Sequence, residues 1–323
     1  MQAKITALGT YVPERIIDNH YFENIVETND EWIVSRTGIH TRHFAAESEF
    51  TSHLCLGAAK NMVEENKIVL DDVDFVIVAT VTPDQTMPSV ATQVQDKLGL
   101  RHAGAIDISA ACAGFSYGLI LAQGLIAAGT HRKVLVFGAE TLTKFTNYED
   151  RTSCILFGDG AGAMLVEAAP KGNILGAVTG SSGDGGKDLY MSNMRKQING
   201  QDVITDNKIH QNGRAVFKWA VNTITAQMPI LAERSGLALA DFDWFIPHSA
   251  NLRIIEALCT QTGFPLEKTL ESISIYGNTS SASIPLALHR GIREGKVKKG
   301  DKIILIGFGG GLVYAGIGLE WAV

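Results

Sequence analysis

Leu70–Thr80, LDDVDFVIVAT, and Leu239–Ser249, LADFDWFIPHS, carry one pattern twice. Each leads an aspartate into an apolar run of strand length, Phe75–Ala79 in the first and Trp244–Ile246 in the second. Asp74 and Asp243 are 169 positions apart (243 − 74 = 169), and so are Lys133 and Lys302 (302 − 133 = 169), which head the later apolar runs Val134–Phe137 and Ile303–Ile306. Between these markers Ile106-Asp107-Ile108 precedes one helical stretch, and Ile275 with Gly277-Asn278 precedes another. Equal offsets in the same order predict two similar α/β halves joined near Pro170-Lys171-Gly172, residues 1–172 and 173–323. Halves packed by pseudo-symmetry bring equivalent strand-to-helix turns together at their interface, where ligand clefts form. One such turn carries Cys112 and its counterpart carries Asn278.

The composition narrows the class. With 46% hydrophobic and 19% charged residues in a chain of 323, the balance is that of a globular protein with a substantial core. A net charge of −6 leaves no chain-wide basic footprint, so nucleic acid is not an expected partner, although a local basic patch can still meet an acidic one. Met1–Thr6 lacks the basic start and apolar run of a secretory leader. The most apolar stretch, Ala103–Gly129, is interrupted by Asp107, Ser109, Ser116 and Gln123, which suits a buried strand and helix better than a membrane span. A cytoplasmic chain with no membrane partner is therefore expected. The cysteines at 55, 112, 154 and 259 form no CxxC pair and no metal-ligand spacing, so neither zinc nor a disulfide framework is expected.

Four segments carry candidate chemistry. Cys112 falls between a strand over 103–109 and a helix over 113–128, flanked by Ala110, Ala111, Ala113 and Gly114, which leave room for a substrate. A cysteine at a helix start is expected to have a lowered pKa, and its thiolate attacks thioesters. His248 ends the strand begun at Asp243, just before a helix, the region where α/β proteins place ligands. Gly277-Asn278-Thr279-Ser280 reads as a turn and helix cap, and Gly309-Gly310-Gly311 exposes backbone N–H groups that can hold an oxyanion.

Two other patterns compete. Gly114-Phe115-Ser116-Tyr117-Gly118 matches the serine-hydrolase elbow, with Asp243 and His248 following in order, yet Ser116 lies one helical turn too late and inside an apolar helix. Gly158–Ala163 fits a loose dinucleotide fingerprint, but Met164-Leu165-Val166 continues as strand, so a hairpin fits better than a βαβ unit.

Taken together the motifs resemble the β-ketoacyl-acyl carrier protein synthase III family, in the variant typical of Gram-positive bacteria. The resemblance runs through Asp30–Ile33 and Arg36–Ile39, Asp107–Gly114, Phe157–Ala163, Pro247–Arg253, Tyr276–Ser280 and Phe308–Gly311. It implies a thiolase-like fold with a layered αβαβα core, a homodimer, and no metal or redox cofactor. It further implies that Cys112 takes a short acyl group from acyl-coenzyme A and that the N–H groups of Cys112 and Gly310 form the oxyanion hole. His248 and Asn278 would then stabilise the charge that builds as malonyl-acyl carrier protein loses CO₂. Thr28, Trp32, Arg36, Arg151, Gly213, Phe217 and Asn251 are the implied coenzyme A contacts. Ser249, Ala250, Asn251, Leu252 and Arg253, with Arg214 and Lys218, are the implied docking rim for the acidic carrier protein. Two departures stand out: His-Ser-Ala-Asn at 248–251 where His-Gln-Ala-Asn is usual, and Met87 where a phenylalanine often closes the primer pocket from the partner subunit. A methionine adapts to irregular shapes, so branched primers such as isobutyryl are expected beside acetyl. Condensing enzymes of polyketide or quinolone type share the same triad and are the alternative.

Overall fold

The computed structural model describes residues 1–323. The five strands of the first sheet are β1 (Gln2–Tyr11), β2 (Phe75–Ala79), β3 (Gly104–Ile108), β4 (Lys133–Thr141) and β5 (Asp159–Ala169), in the order β1-β5-β4-β2-β3. The second sheet, β6 (Ile174–Ser181), β7 (Trp244–Pro247), β8 (Lys302–Gly309) and β9 (Val313–Glu320), has the order β6-β9-β8-β7. Pairing directions match across the halves. β2 and β4 run parallel, as do β7 and β8, while β4–β5 and β8–β9 are antiparallel.

The repeated aspartates explain part of this register. Asp74 accepts from the Lys133 N–H at 3.1 Å, and Asp243 accepts from the Lys302 N–H at 2.9 Å, so each clamps the first residue of the neighbouring parallel strand. The fifth position differs: where the first sheet has β3, the second has one bridge between Phe245 and Thr269, and Ile273–Tyr276 is a helical turn.

Between the sheets lie the two helices that follow the turns of interest, α4 (Gly114–Ala127) and α7 (Ser283–Arg293). α4 is apolar almost throughout and α7 is amphipathic, burying Ser283–Leu288, and Phe115, Leu119, Ile284 and Leu288 join residues of both sheets in one core. Outside the first sheet pack α2 (Thr51–Asn66) and α3 (Val90–Lys97), and outside the second pack α5 (Gly213–Arg234) and α6 (Leu252–Thr262). A short helix α1 (Asp30–Thr37) leans on α6. The result is five layers, helix–sheet–helix–sheet–helix, of the thiolase-like kind. No helix is long and apolar enough to cross a membrane.

The Gly158–Ala163 run lies mostly inside β5, paired with β1 and β4, which removes any dinucleotide turn. The β4–β5 pair is antiparallel, as in a hairpin, but its connection spans residues 142–158.

Candidate active site

Cys112 sits in a 3-10 turn, Ala111–Ala113, immediately before α4. Its counterpart is the 3-10 turn Ser280–Ala282 before α7, 169 positions on (280 − 111 = 169). Each turn opens on a non-glycine residue with positive φ, Ala111 at 43° and Ser280 at 49°. Such a conformation is costly for an L-residue and persists only where the surroundings fix it.

Two glycines of β8 allow that strand to reach the nucleophile. A Cβ on Gly309 would stand 2.9 Å from both Cβ and Sγ of Cys112, and one on Gly307 would stand 2.6 Å from the Cys112 carbonyl oxygen. Any side chain there would push the turn away.

Asn278 belongs by sequence to the second half but is held by the first. Its N–H donates to the Leu156 carbonyl at 2.8 Å, and its carbonyl accepts from the Gly158 N–H at 3.0 Å. Its side-chain Oδ1 accepts from the Ser280 N–H at 2.9 Å, which leaves the amide NH₂ free to donate. His248 follows directly on β7, its N–H bonded to the Ile306 carbonyl at 2.8 Å and its ring edge-on to Phe308. Nδ1 lies 2.7 Å from Ser283 Oγ, the same oxygen that accepts the Ser249 N–H. Nε2 makes no hydrogen bond to the protein.

Cys112, His248 and Asn278 line one cavity of about 700 Å³, together with Gly310, Ser280 and Phe308. Its walls are largely apolar, with Leu142, Leu156, Phe157, Leu189, Met191 and Ile209 among them. Three nearly sealed polar side chains from both halves thus face one apolar chamber; their exposures are 9%, 1% and 8%.

The electrostatics differ from expectation at the nucleophile. Burial pushes the Cys112 thiol up to about 12, so the resting residue is a thiol rather than a thiolate. The helix start does not outweigh this burial. Burial also pushes His248 down to about 3, which keeps its imidazole neutral at physiological pH.

The other expected residues fall into groups. Gly213, Phe217, Ala250 and Asn251 line the same cavity. Asn251 Nδ2 donates to the Arg36 carbonyl, and Arg253 donates to the Ser35 carbonyl, so the start of α6 is tied to α1. On α1, Trp32 carries the Arg151 guanidinium 4.8 Å from its ring centre and that of Arg36 at 6.0 Å. Thr28 Oγ1 is buried without a hydrogen-bond partner. Arg214, Lys218 and Arg253 are exposed, and Leu252 is half-buried. Ser249 corrects the expected docking rim: it is fully buried, and its Oγ accepts from the Ser272 N–H at 3.0 Å, so it cannot touch a docked partner. Met87 is 81% exposed and does not line the cavity of its own chain. Ser116 is sealed in α4 with its hydroxyl unpartnered and lies outside the cavity wall, which removes the hydrolase reading.

Gly307, Gly309, Ser280 and Ser283 were not singled out by sequence for the parts they play here. The glycine run was the available signal for the first two. Ser280 lay in the segment read as a turn and cap, and nothing local marked Ser283.

The fold and this cysteine–histidine–asparagine chamber define a thiolase-fold condensing enzyme. Residues 232–321 match 3-oxoacyl-[acyl-carrier-protein (ACP)] synthase III C terminal, and residues 106–183 match 3-oxoacyl-[acyl-carrier-protein (ACP)] synthase III. The chain is 52% identical over 323 residues to beta-ketoacyl-[acyl-carrier-protein] synthase III 2 of Halalkalibacterium halodurans, covering 100% of this chain and 97% of that one. It is 51% identical to the protein of the same name from Bacillus subtilis, covering 100% and 99%. Among solved structures, the synthase III of Thermus thermophilus superposes with a TM-score of 0.95 at 42% identity, covering 99% of each chain. The priming β-ketosynthase of the R1128 polyketide pathway superposes at 0.92 with 34% identity, covering 99% and 96%. The chain belongs to the β-ketoacyl-acyl carrier protein synthase III family, a family of acyltransferases.

Proposed function

We propose that this chain joins a short acyl primer, delivered on coenzyme A, to a malonyl group on acyl carrier protein, and so starts fatty-acid synthesis. The observation that carries this reading is the meeting of Cys112, His248 and Asn278 in one apolar chamber, supplied from both halves.

In the first step the Cys112 sulfur attacks the primer thioester. The S–H proton leaves with coenzyme A as its free thiol, and the acyl group stays on sulfur. The Cys112 and Gly310 N–H groups hold the oxyanion of the tetrahedral intermediate. A thiol pushed up to about 12 is a weak nucleophile, so its proton moves as the thioester approaches, not in the empty site.

In the second step the malonyl carboxylate leaves as CO₂ and negative charge grows on the malonyl thioester oxygen. The NH₂ of Asn278 is already turned to donate, because Ser280 occupies its oxygen. Ser283 serves His248 likewise. With its hydroxyl proton on Nδ1, the ring keeps its own proton at Nε2 and donates from there. The same hydroxyl also donates to the Ser280 carbonyl at 2.9 Å, so donation from Nε2 requires it to turn from that carbonyl to Nδ1 as the malonyl oxygen arrives. The new carbanion equivalent attacks the acyl-Cys112 carbonyl, the C–S bond breaks, and the Cys112 sulfur leaves as a thiolate that takes a proton from water to return to the thiol as the β-ketoacyl carrier protein departs. Nothing in this sequence needs a metal or redox cofactor.

Thr28, Trp32, Arg36, Arg151, Gly213, Phe217 and Asn251 would hold coenzyme A, with the adenine entering between Trp32 and Arg151 as that pair, packed together at 4.8 Å, parts. Arg214, Lys218 and Arg253, with Ala250, Asn251 and Leu252, would receive the acidic carrier protein. In a homodimer Met87 would leave its own chain to close the partner's primer pocket, where its flexibility admits branched acyl groups. The division at 172/173 and a cytoplasmic location belong to the same reading. A priming role in polyketide assembly would use the same side chains; higher identity to the Halalkalibacterium and Bacillus proteins favours fatty-acid initiation.

The test is reconstitution. Incubation with isobutyryl- or acetyl-coenzyme A and malonyl-acyl carrier protein is expected to give a β-ketoacyl carrier protein by mass. No product with either primer overturns the reading, and a strict preference for acetyl overturns the assignment of Met87.

A further inference from the structure

Glu140, at the inner end of β4, is fully buried and faces no cation. Its carboxylate instead collects hydrogen bonds from both halves. From the first half come the hydroxyls of Thr80 at 3.0 Å and Thr82 at 2.7 Å, and the N–H groups of Val81 at 3.0 Å and Thr82 at 3.1 Å. From the second half come the hydroxyls of Ser280 at 3.1 Å and Ser281 at 3.3 Å, both on Oε1. A buried carboxylate is expensive, and a chain keeps one only where its donors are aligned. Ser280 is also the residue held at φ 49°, and its N–H is the one that occupies Asn278 Oδ1.

We propose that Glu140 is a positioning residue: by gripping the Ser280 hydroxyl it holds the strained turn that points the Asn278 NH₂ into the cavity. The inference rests on the reading of Asn278 as a donor in the decarboxylation step. Without the grip, only a hydrogen bond to the Cys112 thiol is left to the Ser280 side chain to offset its backbone cost, the turn relaxes, and the amide is free to swing or flip. Burial holds the carboxyl up to about 7, and the same arrangement tolerates its neutral form. A protonated Oε1 donates to Ser280 where the charged one accepted, so the grip survives. Glutamine, which presents NH₂ at that corner and an oxygen to the threonines, should therefore preserve the function, and alanine should not.

The experiment uses the full-length protein with isobutyryl-coenzyme A and malonyl-acyl carrier protein. It reads Cys112 acylation by intact mass and malonyl decarboxylation by CO₂ release. Glu140→Ala is expected to lower the ratio of decarboxylation to acylation by about tenfold or more, as loss of donor orientation should. Glu140→Gln is expected to restore it to within about twofold of the wild type. Ser280→Ala should lower the ratio as Glu140→Ala does, and should add nothing in an Asn278→Ala background. If Glu140→Ala does not fold, Ser280→Ala and its cycle with Asn278→Ala decide alone. An unchanged ratio in Ser280→Ala and in any folded Glu140→Ala overturns the proposal, as does a Glu140→Gln protein no better than Glu140→Ala. Loss of decarboxylation in Asn278→Ala alone overturns this inference and leaves the proposed function standing. A wild type that acylates but never decarboxylates overturns the proposed function and this inference with it.

Discussion

Positions 140 and 309 are equivalent in the two halves (309 − 140 = 169), yet one is a glutamate and the other a glycine. Each sits at the inner end of the strand that crosses the other half's turn. Glu140 grips Ser280 and Ser281, whereas Gly309 stands bare beside Cys112. Two positions earlier the halves agree: Gly138 passes against the Ser281 carbonyl as Gly307 passes against that of Cys112. Cys112 and Ser281 are themselves equivalent (281 − 112 = 169). The duplicated frame thus makes one close crossing twice, and the two copies are used in opposite ways. One is filled with hydrogen bonds and serves as a support. The other is emptied and leaves space for chemistry at sulfur.

The comparison breaks most sharply at the paired turn residues. Cys112→Ala is expected to abolish the mass increment from acyl-coenzyme A and to cost at least about 10³-fold in condensation, since it removes the nucleophile. Ser281→Ala, at the equivalent place, should leave acylation within about twofold and cost on the order of 1 kcal/mol of stability through its lost hydrogen bonds, read by denaturant titration. Acylation that survives Cys112→Ala would erase the contrast.

Next in size is the emptied crossing. Gly309→Ala places a Cβ against Cys112 Sγ and is expected to slow acylation about 10²-fold in a folded protein, because a shift of about an ångström at the nucleophile is enough. Stopped-flow release of coenzyme A measures it, and a rate near wild type would show the space to be unimportant.

The smallest effect concerns pH. His248 is held down to about 3 by burial, from 6.5 when exposed. Its unfolded form therefore binds a proton that the folded form refuses between those values. The stability linked to His248 is present above about pH 6.5 and is lost as pH falls toward 3. Relative to His248→Asn, the wild type should lose a few degrees of Tm between about pH 7 and about pH 4.5. A constant difference across that range would mean that the ring is hydrated.

Much of this was legible in the chain. The offset of 169 carried the duplication, because Asp74 and Asp243 do the same backbone work at the same register. Cys112 and His248 were legible because one opens a helix and the other ends a strand, where α/β folds collect ligands, whereas Asn278 read alone as a turn residue and was marked only by the repeat and the family resemblance. The thiol's raised pKa was not legible. A helix start is visible in sequence, but the enclosure that overrides it comes from β8 and the Ser280 turn, which are distant in the chain. Glu140 was hidden for the same reason: an acid at the end of Val134–Ala139 reads as an exposed strand terminus. Its partners at 80–82 and 280–281 meet it only after folding. Ser249 failed the other way, since its neighbours Ala250 and Asn251 reach the cavity while its own side chain turns inward to Ser272.

The central claim is that the two turns divide the labour, sulfur holding the acyl group and the opposite half discharging the malonyl carboxylate. Intact-mass spectrometry of His248→Ala and Asn278→Ala proteins, after isobutyryl-coenzyme A and then malonyl-acyl carrier protein, tests it most directly. The account predicts an acyl group that loads on Cys112 and stays there, with CO₂ release down about 10²–10³-fold in each. Proteins that fail to load acyl yet still release CO₂ at the wild-type rate would contradict it.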